Sequence, residues 1–261
     1  MRLLTWNLNG RIGCLEEQLD YICRQDVDVV TLQEVRKSSA PRLRDALFKQ
    51  GFHSIADTAD ETSSGPRRYG LMVATRWMAA RKVVRSASCW PERILTIGPL
   101  DETSKFSLIT THIPPGSTNG MKKVQMLEAI FEEISTETGP WVLAGDFNAP
   151  QEEGPHGLIT WAQTRRANGS WGIVRSRGLR WDTAERQLFT RNMRDAYREL
   201  HGPTGEGYSW VLRQKERRVH RRFDHILLSR HWNLQSWEYQ FDALSQNLSD
   251  HAPLIAELHL P

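Results

Sequence analysis

Trp-Val-Leu-Ala-Gly-Asp-Phe-Asn-Ala-Pro is the sequence of residues 141–150, in which an apolar run meets a polar end. Four apolar residues precede Gly145, and Asp146 and Asn148 follow one residue apart before Pro150 stops any regular continuation. This pattern predicts a buried strand over 141–146. Because alternate residues of an extended chain point to the same side, the carboxylate and the amide are expected to converge on one ligand.

Other strand-like segments also end in residues with unexplained polar chemistry. Three of them are predicted as strands with such an end: 2–7 at Asn7, 28–34 at Glu34 and 105–112 at His112. An amphipathic helix over 14–25 separates the first two strands, and a crossover of this kind favours parallel pairing. Asn7 and Glu34 are therefore expected at the same edge of one sheet.

Two more polar clusters lie beside predicted strands near the end of the sequence. Asp224 stands near the start of a strand predicted over 222–229, and Asp250 and His251 directly precede the last buried strand. Together with the residues above, these side chains supply several carboxylates, amides and imidazoles at strand ends.

The remaining pattern is that of an α/β protein without a linker. Further strands are predicted at 52–56, 69–75, 81–85, 93–97 and 208–212, with those from 69 to 97 forming an antiparallel meander, and helices at 41–50, 120–134 and 184–200. Residues 151–183 show no regular periodicity. We expect a single domain over 1–261.

The composition is that of a globular protein and argues against a membrane-spanning, disulfide-rich or zinc-binding one. The 261 residues are 39% hydrophobic and 25% charged, with no apolar run long enough to cross a membrane. The first residues lack the apolar segment of a signal peptide, so a cytoplasmic protein is expected. Three cysteines without CxxC spacing indicate neither a disulfide framework nor a zinc site.

Basic residues are concentrated in the second half of the chain. Residues 165–194 contain eight Arg and two acidic residues, and 213–222 contain six Arg or Lys and one acidic residue, although the net charge is only +3. This distribution is typical of a surface that binds polyanions. The candidate substrate contacts are basic side chains that could bind phosphates and aromatic side chains that could stack on bases of a nucleic-acid strand. They are Arg68, Tyr69, Arg165, Arg166, Trp171, Trp210 and Arg222.

The donor types at the strand ends indicate a class of chemistry. Carboxylates and amides without cysteine form a hard oxygen site that suits Mg²⁺ or Mn²⁺ better than zinc. Hydrolytic phosphoryl transfer requires a divalent ion, an oriented water and a base. The sequence therefore predicts a divalent cation as cofactor.

Six short motifs, in order along the chain, resemble those of the endonuclease/exonuclease/phosphatase superfamily. They are Leu4-Thr5-Trp6-Asn7, Leu32-Gln33-Glu34, Thr111-His112, Gly145-Asp146-Phe147-Asn148, Phe223-Asp224-His225 and Ser249-Asp250-His251. The resemblance implies a four-layer α/β/β/α sandwich with two mostly antiparallel, mixed sheets flanked by helices and a site at one mouth.

The resemblance also implies roles for the site residues. Glu34, Asn7 and Asp250 would form the metal side, and Asp146 and Asn148 would orient or deprotonate the attacking water. His251 would act at the phosphate, with Asp224 fixing its tautomer. Either Asp146 or His251 could be the general base on this comparison.

His112 distinguishes branches of the superfamily. The apurinic-site endonuclease branch usually carries Tyr-x-Pro-Asn at this place, whereas residues 112–115 are His-Ile-Pro-Pro. Histidine resembles the DNase-like, sphingomyelinase-like and deadenylase-like branches, where it contacts the phosphate or protonates the leaving oxygen. This departure argues against a role dedicated to abasic sites.

Three functions are compatible with these features. The leading hypothesis is a metal-dependent phosphodiesterase of nucleic acid, monomeric by default: an endonuclease or exonuclease that prefers DNA, with RNA as the open alternative. The first alternative is a phosphatase or phosphodiesterase of the same fold acting on a small or lipid phosphate, and the second is a non-catalytic nucleic-acid-binding module. The absence of an apolar membrane-docking stretch counts against a lipid substrate, and the presence of Glu34, Asp146 and His251 counts against loss of catalysis.

Overall fold

The centre of the molecule is a pair of six-stranded sheets. The computed structural model describes residues 1–62, 69–84, 88–100, 106–154, 157–174, 178–189, 193–202, 207–214 and 217–261. The first sheet contains, in spatial order, β17 (Asn233–Tyr239), β18 (Leu254–His259), β1 (Arg2–Asn7), β2 (Val29–Arg36), β4 (Tyr69–Thr75) and β3 (Ser54–Asp57). The second contains β13 (Arg194–Asp195), β16 (Asp224–Leu228), β8 (Trp141–Asp146), β7 (Ser107–His112), β6 (Ile94–Pro99) and β5 (Ala79–Arg81).

Short hairpins and helices surround the two sheets. The hairpins pair β9 (Glu152–Gly154) with β10 (Gly157–Ile159), β11 (Gln163–Arg165) with β12 (Trp171–Ile173), and β14 (Trp210–Gln214) with β15 (Arg217–Arg221). The α-helices are α1 (Leu15–Cys23), α2 (Ala40–Lys49), α3 (Gly116–Asn119), α4 (Met121–Ser135), α5 (Gly178–Gln187), α6 (Ala196–His201) and α7 (Phe241–Ser245), and a 3₁₀ turn covers Pro91–Arg93.

Three hydrophobic cores separate four layers. One core joins the first sheet to α1 and α2, a second joins the second sheet to α4 and α5, and the third lies between the sheets. In β8, Leu143 belongs to the helix-side core, whereas Val142 and Ala144 belong to the core between the sheets. This alternation buries both faces of the strand, and the expected four-layer α/β/β/α sandwich is confirmed.

Strand register brings polar residues to one edge. Among the described strands, β1 pairs in parallel with β2, as predicted, and β7 pairs in parallel with β8, where His112 lies opposite Asp146. The antiparallel neighbour β16 places Asp224 opposite Asp146 on the other side. Three ionisable side chains from three adjacent strands therefore meet at the end of β8.

Gly145 allows β8 to approach β7 closely. Its φ is 144°, a conformation that side chains rarely adopt, and a Cβ atom built on it would lie 2.1 Å from the carbonyl oxygen of Thr111. A glycine is therefore required immediately before Asp146.

Three secondary-structure predictions are wrong. The meander over 69–97 does not form, because β4 pairs with β2 and β3 in the first sheet whereas β5 and β6 belong to the second. Of the strand predicted at 81–85, Arg81 ends the three-residue β5, residues 82–84 lie in no strand, and Arg85 lies outside the described residues. The helix predicted over 184–200 is divided: α5 ends at Gln187, and Asp195 pairs in a strand and caps α6 by accepting from the backbone N–H of Arg198 at 3.2 Å.

Candidate active site

Asp146 is the central carboxylate of the site and is only 1% exposed. Its Oδ1 accepts a hydrogen bond from the Asn148 backbone N–H at 2.8 Å, and its Oδ2 accepts from Asn148 Nδ2 at 3.1 Å and from Asn7 Nδ2 at 2.9 Å. Burial, opposed by the positive charge of His251, raises the pKa of Asp146 to about 7. The carboxylate is thus fixed in orientation and basic near neutral pH.

Glu34 enters the site through an irregularity in β2. The register against β4 shifts between Leu32 and Val35, and Glu34 adopts a φ of 55°. A non-glycine residue at positive φ is strained, and such strain is concentrated at functional sites. The side chain is 18% exposed, and burial raises the pKa of its carboxyl.

Asn7 links the two carboxylates. In addition to its bond to Asp146, Nδ2 lies 3.4 Å from Oε1 of Glu34, while Oδ1 accepts from the backbone N–H of Asn9 at 2.8 Å. The amide nitrogen therefore faces the acids and the amide oxygen faces the backbone. In this arrangement Asn7 orients the carboxylates of Glu34 and Asp146 by donating to them, and its own Oδ1 points away from both acids.

His251 and Asp224 form a buried imidazole–carboxylate pair. Nδ1 of His251 lies 2.7 Å from Oδ2 of Asp224, and Nε2 lies 3.9 Å from Oδ2 of Asp146. Burial alone lowers the pKa of His251, but the charges of Asp224 and Asp146 outweigh it and raise that pKa to about 10. At neutral pH the imidazolium therefore points an Nε2–H group towards Asp146.

Asp146, Asp224 and His251 also have the spacing of a metal site, since one ligand atom from each lies within 4.8 Å of the others. However, the short bond between Nδ1 of His251 and Asp224 already occupies one nitrogen of the ring and one oxygen of the acid. The other oxygen of Asp224, Oδ1, is buried and has no hydrogen-bond partner among the described residues. The geometry of the three residues is therefore compatible both with proton transfer between His251 and Asp146 and with a bound cation.

His112 is a neutral imidazole with a defined tautomer. Its Nδ1 lies 3.3 Å from Nη1 of Arg93, which can only donate, so the ring proton stands on Nε2. Burial, with the charge of Arg93, holds the pKa of His112 well below its usual value. Nε2–H lies 3.7 Å from Oε1 of Glu34 and 3.6 Å from Oδ2 of Asp146.

Asp250 adds a carboxylate beside Glu34. Its Oδ2 accepts from Nε1 of Trp210 at 3.1 Å, while its Oδ1 is buried and has no hydrogen-bond partner among the described residues. The charge of Asp250 contributes to the raised pKa of the Glu34 carboxyl. Two neighbouring acids with an unsatisfied buried oxygen fit a hard divalent cation.

These groups lie in a cleft of about 640 Å³. Its described lining residues come from the strand ends, the loop after β7 and the β14–β15 hairpin: Asn9, Glu34, Tyr69, Arg93, His112, Pro114, Pro115, Ser117, Thr118, Asn119, Asp146, Asn148, Trp161, Trp210, Leu212, Val219, Arg221, Phe223, Asp250 and His251. Acidic groups thus share the cleft with two arginines and several aromatic rings.

The family model described as "Endonuclease/Exonuclease/phosphatase family" matches residues 4–251. The chain belongs to the endonuclease/exonuclease/phosphatase family. Members of this family are hydrolases of phosphoester bonds. No curated protein matches the sequence.

Solved structures show that the fold of this family member is shared over its whole length. An AP endonuclease from Archaeoglobus fulgidus has a TM-score of 0.76 at 18% identity, covering 100% of both chains. A 3' phosphatase from Neisseria bound to a product DNA hairpin has a TM-score of 0.69 at 20% identity, covering 99% of both. Humanized TDP2 from D. rerio has a TM-score of 0.66 at 15% identity, covering 99% of this chain and 98% of that one.

The predicted catalytic and metal-side residues of this endonuclease/exonuclease/phosphatase family member lie together. The contacts above connect, directly or through one neighbour, Asn7, Glu34, His112, Asp146, Asn148, Asp224, Asp250 and His251. In the described part of the chain, no helix is long and apolar enough to span a membrane.

The predicted substrate contacts are placed less uniformly. Tyr69 and Trp210 line the cleft. Arg165, Arg166 and Trp171 lie in or beside the β11–β12 hairpin and are not among the described residues that line it. Arg68 lies outside the described residues.

Arg222 is a buried ion-pair residue. Its Nε and Nη2 bind Glu153 at 2.6 and 2.8 Å, and its Nη1 binds Asp195 at 2.8 Å. Its side chain is only 2% exposed. The geometry therefore gives Arg222 an internal structural contact in place of the predicted contact with substrate.

Several described cleft residues are missing from the candidate site residues, and those with the most evident chemistry are Arg93, Trp161 and Arg221. Arg93 had a usable signal, because it opens a predicted strand and Ile94 pairs with Thr111 in the β6–β7 ladder, which brings Arg93 beside His112. Arg221 lies in the basic run 213–222. Trp161 follows a weakly patterned segment, and no local pattern indicates its position.

Proposed function

We propose that this protein is a divalent-metal-dependent phosphodiesterase that hydrolyses phosphodiester bonds of nucleic acid, DNA in preference to RNA. One observation carries the proposal: a basic carboxylate, Asp146, and a protonated imidazole, His251, converge 3.9 Å apart in one cleft beside the acids Glu34 and Asp250. Base, acid and hard oxygen donors are the parts that hydrolytic phosphoryl transfer requires.

The acids on one side of the cleft provide the donors for the cation. Glu34 and Asp250 would hold Mg²⁺ or Mn²⁺, which when bound neutralises phosphate charge and makes water more acidic. Asn7 would keep the Glu34 carboxylate in place through its amide nitrogen. We propose no role for the cation beyond this.

Asp146 is the better candidate for the general base. Its pKa of about 7 allows it to accept a proton from water near neutral pH, and three hydrogen bonds from Asn148 and Asn7 fix its orientation. His251, with a pKa of about 10, already carries its proton and would donate Nε2–H to a phosphate oxygen. Asp146 would thus act as the general base, and His251 would stabilise negative charge on the phosphate.

His112 would supply a second neutral donor. Because Arg93 donates to Nδ1, the Nε2–H group remains available for a phosphate oxygen or for the leaving oxygen. The guanidinium of Arg93 also brings positive charge into the cleft without losing its proton. This arrangement supports binding of a phosphodiester anion.

The lining of the cleft supports a nucleic acid as substrate. Trp161, Trp210 and Tyr69 offer ring surfaces to bases, and Arg93 and Arg221 offer charge to phosphates. One structurally similar protein is described with a product DNA hairpin bound. We therefore place DNA first among the substrates to be tested.

A substrate panel tests this proposal. Purified protein is incubated with single-stranded DNA, duplex DNA, duplex DNA containing an abasic site, RNA, phosphomonoesters and lipid headgroup phosphoesters, in Mg²⁺, Mn²⁺ or EDTA. We expect cleavage of DNA that depends on the metal. Preference for phosphomonoesters or lipid headgroups would assign the small-phosphate alternative, and salt-sensitive DNA binding without any cleavage would assign the binding module.

A further inference from the structure

Three consecutive carbonyl groups of the turn after β8 are bound by side chains from outside that turn. The carbonyl of Phe147 accepts from Nζ of Lys123 at 3.3 Å, and the carbonyl of Asn148 accepts from the same Nζ at 2.5 Å. Nε1 of Trp161 donates to the Asn148 carbonyl at 2.8 Å, and Nε2 of His225 lies 2.8 Å from the carbonyl oxygen of Ala149. The turn is therefore held by donors from three different segments.

Lys123 is an unusual donor because its side chain is completely buried. Its ammonium lies 3.6 Å from Oε1 of Glu185, and both side chains are 0% exposed. Burial lowers the pKa of Lys123, and the charge of Glu185 opposes that effect. Glu185 is held in turn by Nε1 of Trp181 at 2.5 Å and by the backbone N–H of Trp161 at 2.9 Å.

Stability alone does not account for a charged pair at this place. Desolvation of two ions offsets much of their attraction, and well-packed apolar residues of similar volume are often equally stabilising or better. What an apolar pair cannot supply is a donor with several N–H groups directed at two neighbouring carbonyls. The location of the pair, directly behind the catalytic turn, is therefore its informative feature.

The turn needs such support because its conformation is strained. Asn148 has a φ of 46°, and in that conformation its backbone N–H and its side-chain amide both reach Asp146. Relaxation of the turn would remove two of the three hydrogen bonds that orient the Asp146 carboxylate. The donors to the carbonyls act against that relaxation.

We infer that Lys123, assisted by Trp161, is a positioning residue of the active site that holds the turn at Phe147 and Asn148 and thereby keeps Asn148 on Asp146. The kinetic consequence rests on the proposed function, whereas the conformational consequence does not. Loss of the donors lowers kcat and leaves KM unchanged, because neither Lys123 nor the carbonyls contact substrate.

The test uses the double variant Lys123→Met/Glu185→Gln, which removes both charges together and leaves no unpaired ion. The matched control is Lys122→Met on the same helix, where the exposed Lys122 lies over the ring of Trp90. Trp161→Phe is a second variant that removes the Nε1 donor and keeps an aromatic ring; because this ring lines the cleft, only its amide exchange is used in the test. Cleavage kinetics are measured together with deuterium exchange of the amides of residues 145–149.

For the folded double variant, we expect kcat to fall by about 10²-fold with KM unchanged, and faster exchange at residues 145–149. Trp161→Phe is expected to show a smaller rise in exchange, and Lys122→Met no change in exchange or in kinetics. Wild-type kcat and wild-type exchange in the double variant would overturn the inference. If that variant does not fold, wild-type exchange in Trp161→Phe overturns it instead.

The two proposals fail separately. If the wild-type protein cleaves no substrate, the proposed function is contradicted, and exchange at residues 145–149 still decides whether Lys123 and Trp161 hold the turn. If the wild-type protein cleaves DNA and the double variant matches it in both kcat and exchange, the positioning role is contradicted and the function stands.

Discussion

Single residues of the site differ in protonation because their surroundings differ. Asp146 and His251 are both buried, but the pKa of Asp146 is raised mainly by burial, whereas that of His251 is raised by neighbouring carboxylates that outweigh burial. The imidazole therefore keeps its proton above the pH at which the carboxyl loses one. This order assigns the acid and the base at neutral pH.

Substitution of Asp224 tests that assignment. In Asp224→Asn, burial of His251 persists and the main attraction for its proton is lost, so we expect the pKa of His251 to fall from about 10 towards its ordinary value of 6.5 or below. The measurement is an NMR titration of the imidazole signals in EDTA, with His251→Gln identifying the signal of interest. An unchanged pKa would show that Asp224 does not set the charge of His251.

At the scale of elements, strand ends were predictable and strand partners were not. Asp146, Asn148 and His112 follow apolar runs whose burial the residue types dictate, so their positions at a sheet edge could be predicted locally. The assignment of β4 and β6 to different sheets could not, because both are short apolar strands and their partners lie far away in the sequence. The burial of Lys123 could not be predicted either, because its ion-pair partner Glu185 is also distant in the sequence.

The close approach of β7 and β8 predicts a strong effect of a small substitution. Gly145→Ala places a Cβ against the Thr111 carbonyl in a backbone conformation that disfavours side chains, so we expect a loss of about 3 kcal/mol in the free energy of unfolding. Gly13→Ala is the control, since nothing lies within 4 Å of a Cβ at that position. Urea unfolding of both variants gives the comparison, and equal stability would contradict the tight strand pairing.

At the scale of the whole molecule, a buried charge network joins β9, β13, α6 and the base of the β14–β15 hairpin. Arg222 binds Glu153 and Asp195, and Glu153 also binds Arg198. Burial alone would raise the pKa values of Asp195 and Glu153, but the charge of Arg222 outweighs it and lowers both. The network thus connects segments that are distant in sequence beside the cleft.

Removal of Arg222 is expected to affect stability far more than catalysis. Arg222→Leu removes the arginine that pairs with both buried acids and leaves Glu153 with Arg198 and Asp195 with His225 and the Arg198 backbone N–H. We therefore expect a loss of about 3 kcal/mol at pH 7, with near wild-type kcat/KM at a temperature where the variant is folded. Arg165→Leu, on the exposed hairpin strand β11, is the control for loss of an arginine. A normal stability with a large rise in KM would instead assign Arg222 to substrate binding.

The sign of the pH dependence follows from the same pKa shifts. Asp195 and Glu153 have folded pKa values below their ordinary values of 3.8 and 4.5, so their contribution is complete above those values and is lost as the pH falls. In Arg222→Leu the largest source of that contribution is missing. Urea unfolding across pH 3–7 should therefore show the difference between wild type and variant shrinking as the solution becomes acidic, and a constant difference would contradict the linkage.

The rate of metal-dependent DNA cleavage by Asp146→Asn tests the central claim most directly. Asp146→Asn keeps the size of the side chain and removes the base, and Asp45→Asn is the control on the exposed face of α2. We predict that Asp146→Asn retains the wild-type thermal unfolding midpoint and loses about 10²–10⁴-fold in kcat in Mg²⁺, while Asp45→Asn cleaves at the wild-type rate. A folded Asp146→Asn protein that cleaves DNA as fast as wild type would contradict the account.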